Sequence, residues 1–363
     1  MSNQLTFQPN WSSSPGNTIY DILEEKNISL KHFADCMNSN MDFVEKLING
    51  QVSINNEIAE KLQLNLGATT DFWVKREEQY RESIERNNLI EKSWLKELPI
   101  KDMIKFGWIE KSDDLLKTCL DFFKVPNVSS WKAKYPNEIN SLAFRTSQSF
   151  NSYEAATATW LRQGEIITEG IDCKNWNKDL FEETLIEIKK LTRLKNPKDF
   201  IPKLIKLCAN CGVAVGIVPT PSGCRASGAT KFMNKDKAIL LLSFRYLSDD
   251  QFWFTFFHEA GHLILHNKKS LHLEVTDKNN KVISDEENEA NAFAAETLIP
   301  YMLHDKLRSI RGNMKRIISL ASEAGVSPGI VVGQLQYLGY IDFKYLNGYK
   351  RRYNWDEIKS LNF

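Results

Sequence analysis

The 363 residues predict a mixed α+β protein that is mostly helical and built as successive domains. Three observations predict this class. Apolar residues recur at helical spacing along most of the chain. Two short runs, 213–218 and 238–242, are instead continuously apolar, partly β-branched and bounded by Pro and Gly, as short strands are. The length exceeds what a single core comfortably serves, so two or three domains are expected.

The N-terminal part reads as a run of short helices. Ile19, Ile22 and Leu23 mark one, and Leu30, Phe33 and Ala34 mark a second that Ser29 can cap. Asn38-Ser39-Asn40 makes a tight turn, Val44, Leu47 and Ile48 form the inner face of a third helix, and Asn49-Gly50 ends it. This order is a helix-turn-helix layout. A polar, aromatic-dotted connector follows, with helical stretches at 113–123, at 144–162 and, amphipathic through Leu180, Leu185, Ile188 and Leu191, at 177–194. After the two strands, helices are expected at 250–266 and 286–297, with a polar loop of Lys, Asn and Asp between them. The small-residue run from Ser222 to Thr230 is expected to be an edge segment or loop that another backbone can approach closely. The domain reading is 1–80 for the helix-turn-helix bundle, 81–195 for the helical connector, 196–340 for the domain with the small sheet, and 341–363 for a C-terminal tail.

Composition narrows the functional classes. No stretch approaches the roughly 18 apolar residues that a membrane span requires, and Met1-Ser2-Asn3-Gln4 does not open a basic region followed by an apolar run. A cytoplasmic protein without membrane contact is expected. Six cysteines, irregularly spaced, do not form a secreted disulfide framework. Cys208-Ala209-Asn210-Cys211 has no second pair to complete a zinc site, and ordinary buried thiols are the expectation.

The chemistry concentrates in His258-Glu259-Ala260-Gly261-His262. Two histidines four residues apart share one helix face, so two imidazoles can reach a single tetrahedral Zn²⁺. Glu259, one residue on, can take a proton from the zinc-bound water, whose pKa the metal lowers to about 7, and pass it to a leaving amine. Phe252, Phe254, Phe256 and Phe257 before the motif, and Leu263, Ile264 and Leu265 after it, make this helix apolar nearly all round. It should therefore be buried, and buried His and Glu require partners that a metal supplies. A third ligand is expected from 286–296. Glu289 is the choice, because Ala292, Phe293 and Ala295 extend an apolar face from it; Glu286 and Glu287 suit a helix N-terminus, and Glu296 is the runner-up. His266 continues the series but lies about 6 Å further along the axis, which favours a supporting role over ligation.

At this point the residues carry a resemblance. HEAGHLILH followed by ENEANAFAAETLIP resembles the ImmA/IrrE family of metallopeptidases, in which an HExxH helix is paired with an E-A-N-x-F-A-A helix, and the resemblance spans roughly 201–336. It implies a zincin-like fold, one Zn²⁺ per chain held by His258, His262 and Glu289, Glu259 as catalytic base, and cleavage of a regulatory protein such as a repressor or antitoxin.

The N-terminal segment resembles HigA-type antitoxin domains of the XRE class, which implies a third helix in the DNA major groove and a dimer. Asn40, Met41 and Lys46 are the candidate DNA contacts, with Asp42 and Glu45 beside them. Residues 1–80 hold 6 Lys/Arg against 11 Asp/Glu, a net of −5 in a chain of +1 overall. Affinity for DNA rests largely on cations at phosphates, so dimerisation or protein recognition stands beside DNA binding as an expectation for this domain. Two functions follow: a zinc endopeptidase coupled to transcriptional regulation or to a toxin-antitoxin, stress or phage response, and a DNA-binding regulator whose metal domain senses or docks without proteolysis.

Overall fold

The computed structural model describes residues 13–143, 151–266, 271–275, 285–310 and 312–359. The chain divides into two compact units, Met1–Trp94 and Leu95–Phe363.

In the first unit, four short helices, α1 (Pro15–Glu25), α2 (Leu30–Cys36), α3 (Met41–Ile48) and α4 (Asn56–Leu66), precede the long α5 (Thr70–Glu97). Each of the four starts at a side-chain cap. Ser14, Ser29, Asn40 and Asn55 accept hydrogen bonds from the backbone N–H groups of Asn17, His32, Phe43 and Ile58. Ile19, Leu23, Phe33, Val44, Leu47, Leu62 and Trp73 close one core between them, and the α2–turn–α3 pair is the helix-turn-helix. On the first turns of α5, the Arg81 guanidinium reaches the Gly50 carbonyl at 3.0 Å while its Nε pairs with Glu77 at 2.6 Å, tying this helix to the end of α3.

The second unit begins with α6 (Ile100–Lys105), α7 (Leu115–Phe123), α8 (Val128–Ala143), α9 (Asn151–Glu169), α10 (Lys178–Leu191) and α11 (Pro197–Ala209). The start of the helix expected from Phe144 lies outside the described residues. A four-stranded mixed sheet follows, from β1 (Val213–Ile217), β2 (Ala226–Phe232), β3 (Ala238–Leu242) and β4 (His272–Val275), in the order β1-β3-β2-β4. β1 runs parallel to β3, and β2 is antiparallel to both β3 and β4. Both faces of β1 and β3 are covered, which explains their uninterrupted apolar runs. Val213, Val215, Leu240 and Leu242 join the main core, while Gly216 and Leu241 meet Gly164 and Thr168 of α9.

The small-residue run is turn and loop as far as Arg225, as expected, but from Ala226 it forms β2, an inner strand hydrogen-bonded on both sides rather than an edge. The small side chains serve a helix lying over the strand. That helix is α12 (Asp249–Leu265), which carries the HEAGH segment and is buried along nearly its whole length. Much of the polar loop expected after it, 267–270 and 276–284, lies outside the described residues; β4 sits between those two stretches. Then come α13 (Asp285–Leu298), α14 (His304–Ser309), α15 (Met314–Ala324), α16 (Pro328–Tyr337) and α17 (Trp355–Lys359).

The start of α12 is anchored by the C-terminal segment. Asp249, wholly buried, accepts hydrogen bonds from Ser327 Oγ at 2.7 Å, from the Arg351 backbone N–H at 3.0 Å and from the Asp250 N–H at 3.0 Å. Lys350 Nζ lies 2.6 Å from Asp250 Oδ2, and the Arg351 guanidinium donates to the Thr192, Arg193 and Leu194 carbonyls at the end of α10. Two carboxylates at a helix N-terminus also complement its dipole. Burial, with the neighbouring Asp250 charge, holds the Asp249 carboxyl above the usual carboxylate range, and the Ser327 hydroxyl offsets only part of that rise. Asp249→Ala leaves three donors in the core without their acceptor and is expected to cost about 3 kcal/mol of unfolding free energy by urea titration. Asp305→Ala, at a carboxylate 97% exposed, is expected to change it by less than about 0.5 kcal/mol.

Candidate metal centre

α12 brings His258 and His262 onto one face, each only 1% exposed. Their Nε2 atoms lie 3.0 Å apart, aimed at a common point. The carboxylate that meets them comes from the first turn of α13 and belongs to Glu287. Its Oε2 is 3.3 Å from His258 Nε2 and its Oε1 3.4 Å from His262 Nε2. A tetrahedral ion bonded at about 2.0–2.1 Å separates its donors by about 3.3 Å, so two imidazoles and one carboxylate fit a divalent metal. Three protein donors are also the complement found at catalytic zinc sites, which keep one position open.

The surrounding groups prepare these donors. Asn291 is one turn after Glu287, and its Oδ1 accepts from His258 Nδ1 at 3.1 Å, which leaves the Nε2 lone pair for a metal. Burial lowers the pKa of His262, so the ring is neutral and able to ligate. Burial alone would raise the Glu287 carboxyl; hydrogen bonds from His258 and His262, and the charge those rings carry when protonated, outweigh it and lower the group below the usual carboxylate range. His272 of β4 stacks on His262 with centroids 4.2 Å apart and planes 15° apart. Burial pushes it down to about 4, so it adds no positive charge beside the site at neutral pH.

Glu259 is wholly buried beneath β2. Thr230 Oγ1 donates to its Oε2 at 3.1 Å. A side chain at Gly228 would place its Cβ 2.6 Å from Glu259 Oε1 and 2.7 Å from Thr255 Cγ2, so glycine is the residue that admits the carboxylate. This is the service the small residues of β2 perform. A second close approach sets the helix pair: Gly261 faces Ala290, where an added Cβ would meet the Ala290 Cα at 3.3 Å.

Of the four metal-site residues read from the sequence, His258, Glu259 and His262 lie together on α12, while Glu289 stands apart. Its Oε2 pairs with His266 Nε2 at 3.0 Å, and its side chain is 61% exposed. His266 in turn places Nδ1 2.9 Å from His262 Nδ1. Glu287, read from the sequence as a charge suited to a helix N-terminus, is the carboxylate that meets the histidines; Asn291, Thr230 and His272 were not singled out. The i, i+4 spacing of Glu287 and Asn291 was the available signal for those two; nothing near His272 marked it. In the first unit, Asn40 caps α3, Met41 is exposed beside it, and Lys46 pairs with Asp42 at 2.8 Å.

A small mixed sheet, a buried HExxH helix and a facing carboxylate helix define a metallopeptidase-like domain. Comparison with known proteins narrows this. Residues 218–335, about a third of the chain, match the family model described as Peptidase_M78, IrrE N-terminal-like domain, and an IrrE N-terminal-like domain therefore occupies the stretch from the end of β1 through most of α16. Separately, 60 residues, 16% of the chain, are 32% identical to the Escherichia coli (strain K12) protein named "Uncharacterized HTH-type transcriptional regulator YddM". They cover 64% of that protein, so the chain spans less than two thirds of this relative. Among the described residues, no helix is long and apolar enough to cross a membrane.

The geometry separates the two candidate carboxylates by experiment. After loading with Zn²⁺ and dialysis, Glu287→Ala is expected to lose its metal, whereas Glu289→Ala still takes it up, as measured by elemental analysis. The reverse pattern would make Glu289 the ligand.

Proposed function

We propose that the chain is a zinc-dependent endopeptidase that cuts a regulatory protein, with one Zn²⁺ per chain on His258, His262 and Glu287. The observation that carries this reading is the convergence of those three donors, two of them on the helix that also carries the buried Glu259. A metal there supplies Lewis acidity, lowering the pKa of a water to about 7 and polarising a carbonyl. Glu259 acts as the base. Thr230 holds its Oε2 and Gly228 leaves it room, so the carboxylate is held in place; in this reading it takes a proton from the attacking water and delivers it to the leaving amine. Asn291 and the neutral, stacked His272 keep the ligand rings in place without adding charge.

The substrate class follows from the company this domain keeps. A peptidase joined to a helix-turn-helix unit is a regulator, so its substrate is a repressor or antitoxin protein, and the N-terminal unit brings the enzyme to DNA or to a second copy of the chain. The test is Glu259→Gln. This variant is expected to keep its zinc and to lose cleavage of the co-encoded regulatory protein by about 10²–10⁴-fold; an unchanged cleavage rate sinks the mechanism.

A second reading, a DNA-binding regulator whose metal domain senses or docks without proteolysis, draws on the similarity to an HTH-type regulator. The −5 charge of residues 1–80 and the pairing of Lys46 with Asp42 weigh against tight DNA binding. In a salt-titrated assay on the operator of its own gene, the full chain is expected to bind less than about tenfold more tightly than to a scrambled duplex. A ratio of about 10³ or more, together with zinc and no cleavage, would favour the regulator reading.

A further inference from the structure

We propose that Glu289 and His266 form a hydrogen-bonded positioning chain that fixes the tautomer and orientation of His262, and so sets how tightly the site holds its metal. The proposal rests on the metal-site part of the proposed function and is independent of whether a peptide is cut.

The geometry begins where α12 stops. The helix ends at Leu265, and His266 is its C-cap, with extended backbone and its N–H on the His262 carbonyl at 3.1 Å. Leaving the helix at this point turns the His266 ring back over the last turn, where it is 5% exposed and its Nδ1 sits 2.9 Å from His262 Nδ1. Its other nitrogen, Nε2, is 3.0 Å from Glu289 Oε2. The chain Glu289, His266, His262 is therefore continuous and ends on a ring whose Nε2 faces Glu287.

Proton counting then leaves one arrangement for a loaded site. A neutral imidazole carries one N–H. With His262 ligating through Nε2, its proton is on Nδ1 and donates to His266 Nδ1. His266, accepting there, carries its own proton on Nε2 and donates it to the Glu289 carboxylate, which can only accept. Every contact is satisfied with both rings neutral. The same count disfavours ligation by the cluster of His262, His266 and His272, whose donor atoms also lie within 4.8 Å of one another. His262 would have to bind a second ion through Nδ1 after giving up its remaining proton.

Energetics also assign the role. As a contact for stability alone, an exposed carboxylate on a histidine contributes little. As the outer partner of a metal-bound histidine, such a group typically changes metal affinity by about 10–100-fold. Glu289 thus acts on the site without touching the ion, and His258 has its own counterpart in Asn291.

The test is metal affinity of the full-length protein, measured by competition between Zn²⁺ and a chromophoric chelator, with the visible spectrum of the Co²⁺-loaded protein as a second readout. His266→Ala is expected to bind Zn²⁺ about 10–100-fold more weakly and to shift the Co²⁺ bands. His266→Asn, whose side-chain carbonyl can accept from His262 Nδ1, should recover affinity to within about threefold, a rescue that a space-filling role does not explain. Glu289→Gln, at an exposed position where folding is not at stake, should weaken binding by about 3–10-fold. Should His266→Ala fail to fold, the Asn and Gln variants decide. Affinity in His266→Ala within twofold of the parent, with Glu287→Ala losing the metal, overturns the positioning chain and leaves the metal site standing. An unchanged Glu289→Gln overturns the part assigned to the carboxylate. A parent protein that takes up no metal overturns both the metal-site reading and this one.

Discussion

The larger unit depends on one constraint: α12 is buried on nearly all sides and still carries two histidines, a glutamate and two aspartates. Apolar packing around Phe252, Trp253, Phe256 and Phe257 drives the helix inward. Each polar group taken with it must then find a partner or cost the core its desolvation penalty. The rest of the unit supplies those partners. Ser327, Lys350 and Arg351 meet the aspartates at the start of the helix, Thr230 meets Glu259 in the middle, and Glu287, Asn291, His266 and His272 surround the histidines toward the end.

These partners come from separated parts of the chain. β2, β4, α13, the turn before α16 and the segment before α17 all close on the same helix. Stability and site geometry are thereby linked, because the anchor at Asp249 and the two histidines belong to one helix. Donors assembled only in the folded state would make ligation at the candidate site part of the folding free energy. The segment from Lys350 to Tyr353 is accordingly part of the frame. It pairs with 247–249 through backbone hydrogen bonds as well as through its side chains.

The first unit follows simpler rules. Its first four helices are short, each is capped by its own Ser or Asn, and one small core joins them to the start of α5. Local sequence signals suffice for such a bundle, and Ser29, Asn49-Gly50 and the turn at Asn38 were legible for that reason. What this surface binds is a matter of charge rather than fold. Asp42 and Glu45 on α3 set it apart from a surface built to meet phosphates.

The helix of the candidate metal site was legible in the sequence. Spacing of four residues puts two imidazoles on one face in any α-helix, and apolar flanks state that the helix is buried. Both are local properties, and both are found in the folded chain. Which carboxylate joins the histidines was decided only by tertiary structure. Alanine at 290, 292, 294 and 295 lies on several sides of α13, so no apolar stripe reveals which way that helix faces. The reading toward Ala292 and Ala295 selected Glu289. The folded chain instead buries Ala290, Ala294 and Leu298, because Gly261 lets α13 approach α12 at Ala290. That contact sets the rotation of α13, turns Glu287 and Asn291 toward the histidines, and leaves Glu289 on His266. The sequence names the donors available; the close approach of two helices at a glycine chooses among them.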